Sequence, residues 1–189
     1  RFSMVSNHDE TLPATNAPQI NVLDSFNSGG SQNHVDNTGR TFELSSLYTR
    51  LGETLTIKTG VQSVYRRNRA FSETNFDGTF KFSNMAGFLS GQAANYRVNR
   101  GNPLLEIDQS EFSVFMQHDL KLTPQLMLMY GVRYDIQSNV KDSNNIAPRL
   151  SIAYGIGRSS VIRAGVGVFY PRLPLAVFEN VSRLDGTRQ

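Results

Sequence analysis

Strict apolar/polar alternation, tight turns, and long connections sorted to one end predict the fold. It is all-β: an antiparallel transmembrane β-barrel segment of about seven strands with long loops on one end. The alternation is clearest between Glu111 and Gln137. There Leu126, Leu128, Tyr130, Val132, Tyr134 and Ile136 share one parity, and Met127, Met129, Gly131, Arg133, Asp135 and Gln137 the other. Successive strand side chains point to opposite faces, so one face is apolar and the other mixed. The preceding segment repeats the pattern: Phe112, Val114, Met116, Leu120 and Leu122 oppose Ser113, Gln117, Asp119 and Lys121. Phe115 and His118 break it. Joined at Pro124-Gln125, the two segments read as a β-hairpin. A tilted strand of roughly 9–11 residues crosses a bilayer, and each apolar row is that long.

The rest of the chain fits around this hairpin. Residues 1–8 read as the end of a strand, and 9–39 as a Gly/Asn/Ser/Pro-rich loop with a short paired piece near 20–23. A weaker strand is expected at 41–51, a turn at Gly52-Glu53, and a strand at 54–66. In the last, Leu55, Ile57, Thr59, Val61 and Tyr65 oppose Thr56, Lys58, Gly60, Gln62 and Arg66. The connection 72–110 holds a small alternating piece at 78–82, a helical turn at 85–94 and the polar run NYRVNRGNP. After the hairpin come a medium loop at 138–147 and strands at 148–156 and 160–170, joined at Gly157-Arg158-Ser159. The tail from Pro171 reads as loop. Long connections (9–39, 72–110) therefore alternate with short ones (52–53, 124–125, 157–159). Transmembrane barrels sort their loops this way; a soluble sandwich has no reason to. Tyr65, Tyr134 and Tyr170 fall on the apolar face near the long-loop end, where an interfacial aromatic belt would put them.

Composition narrows the class. The chain has 189 residues, a net charge of +3 and a mean hydropathy of −0.35, which suits strands with one polar face. No apolar run is long enough for a transmembrane helix. The mild charge and the lack of a basic helix argue against nucleic acid. With no cysteine, disulfides and thiolate metal sites are excluded. Beginning at Arg1 without an initiator Met, the chain is expected to be part of a longer protein.

No catalytic, cofactor or metal residues are assigned, and the chain is not expected to be an enzyme. His118 and Asp119 are adjacent on a strand and point to opposite faces, so they cannot pair. The histidines show no ligand spacing, and Gly165-Val166-Gly167 lies inside a strand without a following helix. The informative charges are on the polar face: Lys58, Arg66, Arg133, Asp135, Arg149 and Arg163, which line the lumen if the sheet is a barrel wall. In the 72–110 connection, Phe76, Phe80, Phe82, Phe88 and Tyr96, with Arg97 and Arg100, are candidates for ligand contact from an extracellular loop.

Several stretches carry a family resemblance: APQINVLDSFNSGGSQ (17–32), FSVFMQHDLKLTPQLMLMYGVRYDIQSN (112–139), NIAPRLSIAYGIG (145–157), SVIRAGVGVFYPRLP (160–174) and RLDGTRQ (183–189). Together they resemble the barrel of Oar-type TonB-dependent receptors. The resemblance implies a cell outer-membrane protein for energy-coupled uptake of a bulky ligand. Residues 1–189 would be a partial barrel domain, without the plug and the N-terminal regulatory domain. The partners implied are outer-membrane lipid, an unknown ligand, and a TonB-type energy-coupling complex reached through regions absent here. A passive porin-like or adhesin-like barrel and a soluble all-β binding module are the alternative readings.

Overall fold

The computed structural model describes residues 1–30, 32–157 and 159–184. Arg158 of the expected third turn and the end of the RLDGTRQ stretch lie outside the described residues. In chain order the elements are β1 (Phe2–Thr11), β2 (Gln19–Val22), β3 (Phe26–Ser28), β4 (Val35–Arg50), β5 (Leu55–Ser72), β6 (Thr79–Phe82), α1 (Met85–Leu89), β7 (Asn95–Arg97), β8 (Leu104–Lys121), β9 (Leu126–Gln137), β10 (Ile146–Ile156), β11 (Ser160–Gly167) and α2 (Leu175–Arg183). Seven of the strands form one sheet in the order β1-β4-β5-β8-β9-β10-β11. It is open, with β1 and β11 at its edges among the described residues. The other four strands form a second sheet, β3-β2-β6-β7.

Two compact units are distinguished. The first holds Arg1–Val5, Thr41–Arg66 and Asp108–Pro174; the second holds Ser6–Arg40, Arg67–Ile107 and the segment from Leu175.

In the first unit the register makes the two faces continuous. Val114 lies opposite Tyr134 and Met116 opposite Val132. Val132 lies opposite Pro148 and Leu128 opposite Ile152, and Ile152 in turn faces Ala164. Even-numbered residues thus share one face from β8 to β11. That face is apolar and exposed: Phe112, Met116, Val132, Leu150, Ile162 and Val166 are each at least 41 % accessible. Apolar patches on soluble monomers rarely exceed a few hundred Å², so a face this broad meets something other than water. The opposite face carries the burial, and much of what it buries is polar: Gln109, Glu111 and Ser113 are at most 5 % accessible. Such inversion is expected of a barrel wall with lipid outside and a polar interior. No helix among the described residues is long and apolar enough to cross a membrane.

Phe115 and His118, the two exceptions to alternation, each have a local partner. Phe115 fills the space above Gly60, where a Cβ would come within 2.6 Å of its ring. His118 stands opposite Tyr130 in the outward row, with ring centroids 5.0 Å apart in a T-shaped contact.

The second unit corrects several boundaries. β1 runs on to Thr11, β4 starts at Val35 rather than 41, β5 continues to Ser72, and β8 starts at Leu104 rather than 111. These added stretches lack apolar alternation because polar pairs hold them. Arg69 donates to Asp36 at 3.3 Å, Arg67 lies 3.7 Å from Glu106, and His8 contacts Thr38 at 3.1 Å. Nor is the tail all loop, since α2 spans Leu175–Arg183. Its half-buried positions, Leu175, Phe178, Glu179, Ser182 and Arg183, recur at helical spacing. Pro174 precedes the first turn, where a missing N–H is harmless. Asn68 donates to Glu179 at 3.1 Å and Arg183 to the Ala70 carbonyl at 3.1 Å.

Spin labels would report the two faces directly. In the whole protein in bilayers, labels at positions 128 and 132 should be accessible to oxygen, and labels at 129 and 133 to a water-soluble relaxant. Equal accessibility of the two sets would refute the assignment of faces.

Candidate functional site

The inner wall of the first unit is a connected polar network. Register places Ser113 beside Asp135 and Glu111 beside Gln137. Ser113 Oγ donates to Asp135 Oδ1 at 2.5 Å, and Arg133 holds the same carboxylate through Nε at 2.8 Å and Nη2 at 3.0 Å. Arg172, from the segment after β11, ties the pieces together. Its Nη1 donates to Glu111 at 3.0 Å, and its Nη2 to Ser113 at 2.6 Å and Asp135 at 3.1 Å. Arg66 also pairs with Glu111, and Gln109 Nε2 donates to it at 2.7 Å. The backbone of Leu173 is held twice by Gln137: Nε2 donates to its carbonyl at 2.7 Å, and its N–H donates to Oε1 at 3.2 Å. One short stretch of chain is therefore strapped to the wall by charge-assisted bonds. Further along, Lys58 Nζ donates to Asp119 at 2.7 Å, and Gln117 to the same carboxylate at 2.7 Å.

Of the six polar-face charges read from the sequence, the network joins Arg66, Arg133 and Asp135, while Lys58 pairs separately. Arg149 lies over the Phe169 ring at 4.7 Å, and Arg163 stands on the edge strand opposite Ala153. Sequence reasoning missed Glu111, Gln109, Gln137 and Arg172. The first three lie on strands whose register shows only in the fold, and Arg172 sits in a tail read as loop.

The second unit contains the loop candidates. Phe88 packs against Phe26 and Phe82 at centroid distances of 5.2 and 5.3 Å, an aromatic core for the second sheet. Phe80 and Tyr96 lie 4.4 Å apart. Gly78 adopts φ +86, and any Cβ there would collide with the Tyr96 ring. Phe76 lines a small cavity together with His34 and Glu73, which are joined at 2.7 Å. Arg100 is exposed. Arg97 belongs elsewhere: it lines a polar cleft of about 850 Å³ on the second sheet. The four strands of that sheet come from the two long connections, β1–β4 and β5–β8. No group of three or more histidines and carboxylates placed to hold a metal is present among the described residues.

An open antiparallel sheet, apolar outside and charged inside, with its long connections structured, is a wall segment of an outer-membrane β-barrel protein. The chain belongs to the outer membrane beta barrel domain family, whose model matches residues 3–145. Its fold is similar to that of the outer membrane transporter YddB from Escherichia coli, with a TM-score of 0.52 and 16 % sequence identity. The match covers 87 % of this chain and 22 % of that transporter, so the chain spans about a fifth of the structure it resembles. No curated protein matches the chain. Family and fold together place it in the outer membrane.

Proposed function

We propose that the chain is part of the barrel of a TonB-dependent receptor of the Oar type, importing a bulky ligand with energy supplied from the inner membrane. In this reading residues 1–189 are a partial barrel domain, and coupling runs through regions outside it. The proposed role is transport rather than catalysis. One observation carries the reading: the two long connections assemble into a sheet of their own that bears a cleft of about 850 Å³. A passive pore has no need of an ordered binding surface on its loops, whereas a receptor does. In a meander both long connections leave the same end of the main sheet, opposite the 51–54 and 122–125 turns. Long loops face outward in these barrels, so the proposed site is extracellular.

Two arms of one experiment on intact cells test this. Protease should cut an epitope tag inserted within 85–94 and spare one at 124–125. Uptake through the protein should stop when a protonophore collapses the proton-motive force. Cleavage at the turn but not the loop would invert the topology, and uptake that survives the protonophore would make the protein a passive pore.

A further inference from the structure

We infer that the cleft on the second sheet is a binding subsite for an acidic oligosaccharide. The inference rests on the receptor reading and adds the ligand's chemical class. The sheet has two unlike faces. Ile20, Val22, Phe80, Phe82 and Tyr96 are even-numbered and apolar. On the odd face, Gln19, Thr79 and Arg97 form one cross-strand row, and Asn21, Lys81 and Asn95 form the next. This polar face supplies much of the lining of the cleft, to which Gln32, Asn33, Thr74, Asn75 and Asn99 are added. The lining contains neither a carboxylate nor an apolar side chain. Its volume lies within the range of small-ligand sites.

The cleft is also built rather than incidental. Gln32 is only 6 % accessible, and its Nε2 donates to the Ala17 carbonyl at 3.2 Å. Its Oε1 has no partner among the described residues, although buried polar atoms are nearly always satisfied. Gln32 and Asn75 both adopt left-handed backbone, φ 55 and φ 60, and the Asn75 N–H donates to the Gln32 carbonyl at 3.1 Å. Asparagine adopts that conformation readily, whereas glutamine holds it where its surroundings enforce it. Here Thr79 Oγ1 donates to Asn75 Oδ1 at 2.6 Å, Asn75 Nδ2 to the Arg97 carbonyl at 3.1 Å, and Asn99 Nδ2 to the Thr74 carbonyl at 2.8 Å. The polar groups are therefore fixed before any ligand arrives, which lowers the entropy lost on binding.

Chemistry selects the ligand class. A carboxamide offers donors and an acceptor on one group, which complements a hydroxyl that both donates and accepts. Six carboxamides around one cleft suit a chain of hydroxyls. Lipophilic ligands and peptides with apolar side chains find no apolar wall. Lys81 and Arg97 have no carboxylate partner among the described residues, so they select a carboxylate or sulfate on the sugar.

Calorimetry on the whole protein purified in detergent tests this, with hexagalacturonate as the probe. Hexagalacturonate should bind, and maltohexaose, of equal length but uncharged, should bind at least about tenfold more weakly. Arg97→Gln and Lys81→Gln, both at exposed positions, should each weaken hexagalacturonate about tenfold without changing the melting temperature. Gln32→Met should weaken both sugars. If that buried variant fails to fold, the two surface variants decide. Absence of hexagalacturonate binding, equal binding of maltohexaose, or full displacement by an equal concentration of inorganic sulfate would each overturn the inference. The last would reduce the site to an anion trap. Binding to purified protein needs no energy source. Energised uptake of an uncharged ligand without hexagalacturonate binding would overturn this inference alone; binding without energised uptake would overturn the receptor reading alone.

Discussion

Glu111→Ala should destabilise the whole protein by about 2–3 kcal/mol in urea titrations followed in lipid vesicles. Glu111 is 5 % accessible and sits among Arg66, Arg172 and Gln109. Removing a buried partner of an ion pair typically costs about 3–5 kcal/mol, because the remaining charge is stranded. Here the stranded guanidinium groups are each 35 % accessible, so water recovers part of the loss and the lower figure applies. Arg172→Met removes the other side of the pair and leaves the strap held only through the Leu173 backbone. In a double-mutant cycle the two substitutions should couple by about 1–2 kcal/mol, since both act on one network. Strict additivity of Glu111→Ala and Arg172→Met would show that the strap is not held by this carboxylate.

How much of this was legible in the sequence follows from what imposes a period. Lipid on one side and a polar interior on the other impose period two, so the apolar rows of β8, β9 and β10 could be read residue by residue, whereas the last strand, expected at 160–170, ends at Gly167 in β11. Outside the apolar band nothing imposes it. Residues 35–40 (VDNTGR) look like turn chemistry, yet they pair in β4, with Asp36 bonded to Arg69. The helix α2 was hidden for a related reason: two of its five half-buried positions are Glu179 and Arg183, so its buried stripe is not an apolar one. Within the network, the charges Arg66, Arg133 and Asp135 were visible as a polar row. That Glu111 is their centre depends on Arg172, which lies 61 residues away in sequence and carries no periodic signal. The loop aromatics show a subtler limit. They read as candidates for ligand contact, but Phe82 and Phe88 form a core, and the polar face opposite them depends on a parallel pairing of β2 with β6 that no local pattern announces.

Val132→Arg should destabilise the protein by about 2–4 kcal/mol in vesicles, and Met129→Arg should cost far less. Val132 lies in the middle of β9, 43 % accessible, between Met116 on β8 and Pro148 on β10. Its direct cross-strand neighbours are apolar and no carboxylate stands on that face of β9, β10 or the stretch of β8 paired with β9, so an arginine there has hydrocarbon around it and no counter-ion. Its long side chain can bend toward an interface, which keeps the penalty to a few kcal/mol rather than the much larger cost of a fully desolvated charge. Met129 stands three residues earlier on the opposite face, across from Asp119 and Ser151. An arginine at 129 enters a wall already furnished with a carboxylate and a hydroxyl. The contrast isolates the surroundings of the two faces from strand propensity, since both changes put the same residue into the same strand. It also separates a membrane wall from a soluble sheet. With water on the apolar face, Val132→Arg would cost no more than Met129→Arg and would improve solubility. Equal penalties at the two positions would therefore remove the lipid-facing assignment on which the barrel reading of this segment stands.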